Sequence, residues 1–348
     1  MKLKKLAPAL LMLCPFAASA GENGAGLEAE TELVNLTTMV RFDYQREYND
    51  WDPVKSNSGF EAKYLMFKLN GTIIPGLDYS WRQRLNKQHT DGNFFDATDW
   101  LYLDYRYKDF SFSAGKQIVA IGGWEYDRAP IDIYSSSVFW QNVSCFQLGA
   151  SATYHFSDSN SLTAQMTESP HFNKENRDLN AYNIFWNGRL GTFRALWSAN
   201  MIEYADSRYI SYISLGNRYD FNDKWMVELD LMNRASEHHR FLFRDCSVVA
   251  DISFSPCKRW NIFAKYTYDV NRSNPADLLV LPGTELNMAG AGFEYFPLVK
   301  DKTRLRVHFN TFYSWGTNSN EADVMQNKSI MFDLGISWHM DIFSLKRK

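Results

Sequence analysis

The stretch Phe146-Gln147-Leu148-Gly149-Ala150-Ser151-Ala152-Thr153-Tyr154-His155-Phe156 decides the fold. Its even positions are apolar and its odd positions are small or polar. Alternate side chains of a strand point to opposite faces, so a period of two describes a strand with one apolar and one wet face. Segments of this kind, rich in Tyr, Phe and Trp, recur along the 348 residues and break at turns. The pattern predicts an all-β fold, with antiparallel strands closing on themselves into a transmembrane barrel.

Working outward from 146–156, the alternation marks sixteen strand candidates. They run approximately 34–46, 60–73, 78–86, 99–107, 110–117, 145–156, 161–168, 181–187, 193–203, 208–219, 225–235, 246–254, 260–269, 286–296, 304–315 and 329–340. Short connections (Ile74-Pro75-Gly76, Lys108-Asp109, Ser157 to Asn160, Gly188 to Thr192, Asn222-Asp223, Ser255 to Arg259) alternate with longer ones near 47–59, 87–98, 118–144, 169–180, 270–285 and 316–328. Short turns on the periplasmic side and long loops outside are the rule for such barrels, and an even strand count leaves both ends in the periplasm. A soluble β-sandwich explains neither the length alternation nor the abundance of aromatic residues. Nothing suggests a second domain.

The first twenty residues read as a signal peptide. Lys2, Lys4 and Lys5 are its basic region, Leu6 to Phe16 its apolar core and Ala18-Ser19-Ala20 its cleavage site. Residues 21–33, rich in Gly, Glu and Ala, read as a short periplasmic lead, and 34–348 as the barrel. The expected location is the outer membrane of a Gram-negative bacterium. Cleavage would remove three of the 37 basic residues and no acids, leaving 34 against 40 acidic, a net charge of −6. A nucleic-acid binder would show a basic excess instead. No later segment reaches the eighteen or so apolar residues of a membrane-spanning helix. Cys145, Cys246 and Cys257 remain after cleavage. Cys246 and Cys257 lie at opposite ends of one strand candidate, too far apart to bridge, so free thiols are expected.

Charge then assigns the two faces. A basic side chain turned to lipid costs about 2–4 kcal/mol at the bilayer midplane, so charged positions mark the lumen. Val40, Phe42 and Tyr44 point out, with Arg41 and Asp43 in. Leu65, Phe67 and Leu69 point out, with Lys68 and Asn70 in. Tyr79 and Trp81 point out, with Arg82 and Arg84 in. Leu101, Leu103, Tyr105 and Tyr107 point out, with Asp104 and Arg106 in. Later strands follow suit: Val227, Leu229 and Leu231 out against Glu228 and Asp230, and Leu305, Val307 and Phe309 out against Arg306 and His308. Lys116 shares the phase of Phe110, Phe112 and Ala114. Either it snorkels from the strand end or a bulge at Gly115 turns it inward. Trp225 and Trp260 at the periplasmic rim, and Tyr268 and Tyr313 at the outer rim, fit interfacial girdles.

Sixteen strands enclose a water-filled lumen. The longest loop, 118–144, carries Gly122-Gly123, Trp124, Glu125, Asp127, Pro130 and Asp132. Loops of that length are functional or disordered, and its apolar content argues against disorder. It is expected to fold into the barrel as the third external loop. Arg41, Lys68, Arg82, Arg84 and Arg106 would form a cationic wall, with Lys116 near its outer end. Glu125, Asp127 and Asp132 would face them and set a transverse field that tunes ion selectivity. Other constellations carry little: His238-His239 has no Cys or carboxylate at metal-ligand spacing, and His308 and His339 read as wall residues. No catalytic signature such as G-x-S-x-G and no phosphate-binding loop is present, so neither an enzyme, a metal nor a cofactor is expected.

The run Asp99-Trp100-Leu101-Tyr102-Leu103-Asp104-Tyr105-Arg106-Tyr107, with Ser113-Ala114-Gly115-Lys116-Gln117 and Gly122-Gly123-Trp124-Glu125-Tyr126-Asp127, resembles the phosphate-selective porin O and P family in its Bacteroides-type form. Leu179-Asn180-Ala181-Tyr182-Asn183 and Asn200-Met201-Ile202-Glu203-Tyr204 resemble the same group. The resemblance implies a sixteen-stranded barrel, a homotrimer and conduction of small anions, with phosphate held by lumen Arg and Lys residues. The mature chain departs from that pattern in being net acidic, with Asp43, Asp104, Glu228, Asp230, Asp251 and Asp333 also on the lumen phase. The expected function is therefore passive diffusion of small hydrophilic solutes, anions such as phosphate included. The competing readings are a non-conducting barrel that binds a partner or ligand through its loops, and a barrel hydrolase.

Overall fold

In the computed structural model, the described residues are 31–87, 94–171, 178–236, 243–273, 279–302, 304–319 and 327–347. They form sixteen long antiparallel strands: β1 Thr31–Asn49, β2 Gly59–Ile74, β3 Leu77–Arg84, β4 Thr98–Tyr107, β5 Phe110–Ile118, β6 Phe146–Ser157, β7 Asn160–Glu168, β8 Asn180–Leu190, β9 Phe193–Ala205, β10 Arg208–Asp220, β11 Trp225–Ser236, β12 Asp245–Cys257, β13 Trp260–Asn271, β14 Glu285–Tyr295, β15 Leu305–Thr317 and β16 Ser329–Arg347. Each pairs with the next, and β16 pairs back to β1 from Ser329↔Asn49 to Arg347↔Thr31. The two-residue strand Asp52–Pro53 adds a rung beside the end of β1. Closure leaves no edge of unpaired backbone groups, which is what allows a sheet to cross a membrane.

Burial follows the expected phase. Leu101, Leu103, Tyr105 and Tyr107 on β4 are 42–54% exposed. Arg41, Asp43, Glu228, Asp230 and His308 are all at most 6% exposed. The barrel thus turns most of its apolar side chains outward and its charges inward, the inverse of a water-soluble sheet, while Tyr212, Phe263, Met288 and Phe312 pack inward against Val119, Ile121 and Phe139. Phe112, Leu148, Leu162, Ile184, Met201, Leu229, Ile252, Ile262 and Leu334 continue the exposed apolar belt around the molecule. A belt of this kind is stable only against lipid, so the molecule is an outer-membrane barrel. Val40 is outward in phase yet buried, because Trp338 and Leu65 flank it on the neighbouring strands. Next to the turns, Trp225 stacks on Phe254 with ring centroids 4.4 Å apart, and Trp260 lies 4.8 Å from Tyr295. Tyr313 and Trp315 stack at 5.9 Å.

Most connections alternate as expected. In the β2–β3 turn, Gly76 adopts φ +83°, which follows Pro75 without strain only because it lacks a Cβ. Its carbonyl accepts from the Arg106 amide at 2.7 Å, tying that turn to the end of β4. One outer connection breaks the alternation: β9 and β10 are joined by Asp206-Ser207 alone.

β1 begins at Thr31, so the end of the 21–33 lead is strand rather than irregular chain; the signal peptide 1–20 and the rest of the lead lie outside the described residues, as does His238-His239. Lys116 does not turn inward. β4 and β5 run in unbroken register through Tyr102↔Gly115 and Leu101↔Lys116, so no bulge reverses its phase. Its flexible stem instead carries the amine to the Phe95 carbonyl, 2.9 Å away near the outer end of the strand. Cys145, Cys246 and Cys257 are free.

Candidate functional site

The connection between β5 and β6 is built from short pieces. Helix α1 (Trp124–Asp127) follows Gly123, whose φ of +116° lies in a region that side chains rarely adopt. Pro130 opens a single 3-10 turn, Pro130–Asp132. Helix α2 (Val138–Asn142) is capped by Ser137, whose hydroxyl accepts from the Trp140 amide at 3.2 Å.

These pieces are held by lumen-phase side chains taken in order around the wall. The Ala120 amide donates to Gln165 on β7 at 2.7 Å and the Gly122 amide to Ser198 on β9 at 2.8 Å. Asp230 on β11 accepts from both the Trp124 and Glu125 amides at 2.8 Å, closing the start of α1. Arg128 pairs with Glu228 on β11 at 2.5 Å and with Asp251 on β12 at 3.4 Å. Burial alone would lower the Arg128 guanidinium, but the two carboxylates outweigh it and raise it above its ordinary value. Lys265 on β13 pairs with Glu125 at 2.6 Å, and Asp269 on the same strand accepts from the Val138 amide at 3.0 Å. Tyr134 donates to Glu294 on β14 at 2.6 Å, and Asp132 pairs with Arg306 on β15 at 2.7 Å. Arg41 on β1 donates to the carbonyls of Ile131 and Ile133 at 3.3 and 2.7 Å. The hydrogen bonds thus run from β7 round to β1. On the β2 side lies a cavity of about 450 Å³ between Lys63 and Tyr64 on one wall and Tyr134, Trp140 and Gln141 on the other.

The expected wall cations fall into two groups. Arg41 and Arg82 are neutralised and buried, at 0% and 4% exposure. Arg41 lies 2.7 Å from Asp43 and 3.5 Å from Asp333. Arg82 lies 2.7 Å from Asp99 and 3.7 Å over the Trp100 ring. Lys68, Arg84 and Arg106 have no carboxylate partner among the described residues. Arg84 lies 4.5 Å over the Tyr64 ring. Lys68 lines a cavity of about 560 Å³ on the turn side of the barrel, with Asn70, Tyr102, Asp104 and His155. Arg106 is exposed at the end of β4. Lys116, on the outward phase, belongs to neither group. Of the acids expected on the loop, Glu125 and Asp132 are used in pairs with Lys265 and Arg306, and Asp127 is exposed without an ion pair among the described residues.

Pairing of this kind cannot be read from phase. The pattern placed Glu228, Asp251, Arg306 and Asp333 in the lumen by alternation, but nothing local shows which charges meet, and Lys265, the partner of Glu125, was not singled out. Asp43, His308 and Asp333 bring ligand-type atoms within 4.8 Å of one another. A cation there would have to displace Arg41, which already lies against both carboxylates, so this set does not suit a metal ion.

Comparison with known proteins agrees with this architecture. Residues 34–184 match the family model described as phosphate-selective porin O and P. No curated protein matches the chain at the sequence level. Among solved structures, the barrel resembles the anion-selective porin from Comamonas acidovorans (TM-score 0.63, 10% identity, covering 89% of this chain and 100% of that one). It also resembles the outer-membrane channel DcaP of Acinetobacter baumannii (TM-score 0.61, 12% identity, covering 89% and 98%). A third is the in-vitro folded outer-membrane protein OmpT of Vibrio cholerae in its trimer form (TM-score 0.59, 13% identity, covering 89% and 100%). At such identities the likeness is one of fold.

Proposed function

We propose that this outer-membrane barrel is a porin through which small hydrophilic solutes diffuse passively, with anions such as phosphate favoured. The observation that carries the reading is the trio Lys68, Arg84 and Arg106. They lie on the adjacent strands β2, β3 and β4, on the lumen phase, and lack a carboxylate partner among the described residues. An uncompensated cation in a water-filled passage raises the local concentration of anions. Segment 119–144, held against the wall from β7 to β1, is the constriction. It leaves the solute path along β2–β4, where Asp104 shares the cavity of Lys68, and Asp127 is the loop acid without an ion pair among the described residues. In this reading the chain is exported by residues 1–20, works as a homotrimer and catalyses nothing.

The reading is tested by single-channel recording in a planar bilayer, with reversal potentials under a salt gradient and inorganic phosphate added as a blocker. Discrete steps, an anion-favouring reversal potential and phosphate block are expected. Steps with cation preference would keep the porin and remove the role of the trio. A folded barrel without steps would overturn the channel in favour of ligand binding by the outer loops.

A further inference from the structure

We propose that Arg41, Asp43, Asp333 and His308 are positioning residues: a charge-balanced clasp on segment 119–144, which the proton on His308 tightens and its loss loosens. The inference rests on the reading of that segment as the constriction, and adds what holds it and what releases it.

The clasp is assembled across three strands. His308 on β15 is the rung partner of Gly335 on β16, and Gly335 is the rung partner of Asp43 on β1. Side chains two strands apart do not ordinarily meet. Here they do because the middle residue has none, and a Cβ at Gly335 would overlap both Asp43 Oδ1 and His308 Nε2. His308 Nε2 lies 3.2 Å from Asp43 Oδ1 and 3.1 Å from Asp333 Oδ1. A nitrogen between two carboxylate oxygens must carry a hydrogen, whichever charge the ring has. Arg41 shares the same two carboxylates through Nη2, at 2.7 and 3.5 Å, while its Nη1 donates to the Ile131 and Ile133 carbonyls. Tyr134, the next residue of the segment, covers the cluster, with its ring 4.8 Å from the Arg41 guanidinium and 4.6 Å from the His308 ring. The four wall side chains are at most 2% exposed.

One guanidinium faces two carboxylates. A protonated imidazole completes the balance; a neutral one leaves a buried carboxylate without a counter-charge, an unfavourable state that admission of water or movement of a partner relieves. The group beside it offers no help. Arg306 on β15 faces Asp132 of the segment and Glu294 on β14, the rung partner of His308, and Tyr134 donates to that same Glu294. This neighbouring set is itself net negative. Excess negative charge draws the Arg41 guanidinium further onto Asp43 and Asp333 and away from the Ile131 and Ile133 carbonyls, so proton loss from His308 is transmitted to Ile131–Tyr134.

The test has two readouts on the full-length folded barrel, followed from about pH 5 to about pH 9. One is single-channel closure frequency. The other, independent of conductance, is trypsin cleavage after Arg128, the basic residue of the segment. Towards the acid end, steady openings and protection of Arg128 are expected; towards the alkaline end, several-fold more closures and several-fold faster cleavage. His308→Gln keeps an amide donor but cannot charge, and is expected to behave at every pH as the wild type does at the alkaline end. His308→Gln with Asp333→Asn restores the balance with one carboxylate and one guanidinium, and is expected to match the acid end throughout. A pH-independent wild type, a His308→Gln barrel that still titrates, or a double variant that stays loose would overturn the clasp. If a variant fails to show the heat-modifiable gel mobility of a folded barrel, the wild-type profile alone still decides. A barrel without conductance at any pH would sink the channel reading, and the cleavage profile would still support or overturn the clasp.

Discussion

Two parts of the lumen wall use the same side chains for opposite ends. Along β11 to β1, each cation faces carboxylates: Lys265 meets Glu125, Arg306 meets Asp132 and Glu294, and Arg41 meets Asp43 and Asp333. Along β2 to β4, Lys68, Arg84 and Arg106 meet none among the described residues. The first part is cross-linked, and it fastens the 119–144 segment. The second pairs Arg82 with Asp99 and leaves the other three without a carboxylate partner among the described residues, which in the proposed channel keeps their charge available to solutes. The residue type does not separate a paired arginine from one without a carboxylate partner. What separates them is whether the fold brings an acid within reach, from the same strand, a neighbouring strand or the 119–144 segment, because a buried charge must be paired whereas a hydrated one need not be.

The division can be broken by stability measurements, ordered by the size of the expected change. Arg41→Met leaves Asp43 and Asp333 together with no guanidinium between them; a loss of about 3–5 kcal/mol is expected in urea unfolding of the vesicle-embedded barrel. A loss of a few tenths, with altered selectivity instead, would move Arg41 into the solute-facing group. Asp230→Ala strips the acceptor from the Trp124 and Glu125 amides. Roughly 1–3 kcal/mol is expected, with larger single-channel conductance as the start of α1 leaves the wall. Lys116→Leu removes a snorkelling amine from the outward face near the strand end. A change of about 0–1 kcal/mol is expected, with the reversal potential unaltered. Replacing Lys68, Arg84 and Arg106 together by Gln is expected to have the smallest effect per site, about 0.5 kcal/mol or less. It should nevertheless abolish the anion preference of the reversal potential. A large stability loss in that triple variant would show that the wall cations do one job, not two.

Much of this barrel is legible in one dimension. All sixteen strands lie where the alternation puts them, with ends displaced by a few residues; the largest displacement is at β16, which runs on to Arg347. The lead before β1 misread as irregular because Thr31 to Leu33 lack a clear alternation, although they are paired with the end of β16. Lys116 left two readings open, since a bulge and a snorkel share one local pattern; only the unbroken β4–β5 register decides between them. The candidate site was half legible. Phase placed Arg41 and Arg82 in the lumen as readily as Lys68 and Arg84, and placed His308 there as a plain wall residue.

The sequence by itself determined the strands, their count, the outward apolar belt and the inward charges. These follow from a period of two and from the cost of charge in lipid, both local properties of the chain. Tertiary structure alone decided which charges cancel. Asp43, His308 and Asp333 come from opposite ends of the chain and meet only because the barrel closes, β16 lying between β15 and β1 with a glycine at the crossing. Coulomb energy depends on distance in space, and no periodicity along the chain encodes the distance between residues brought together by closure.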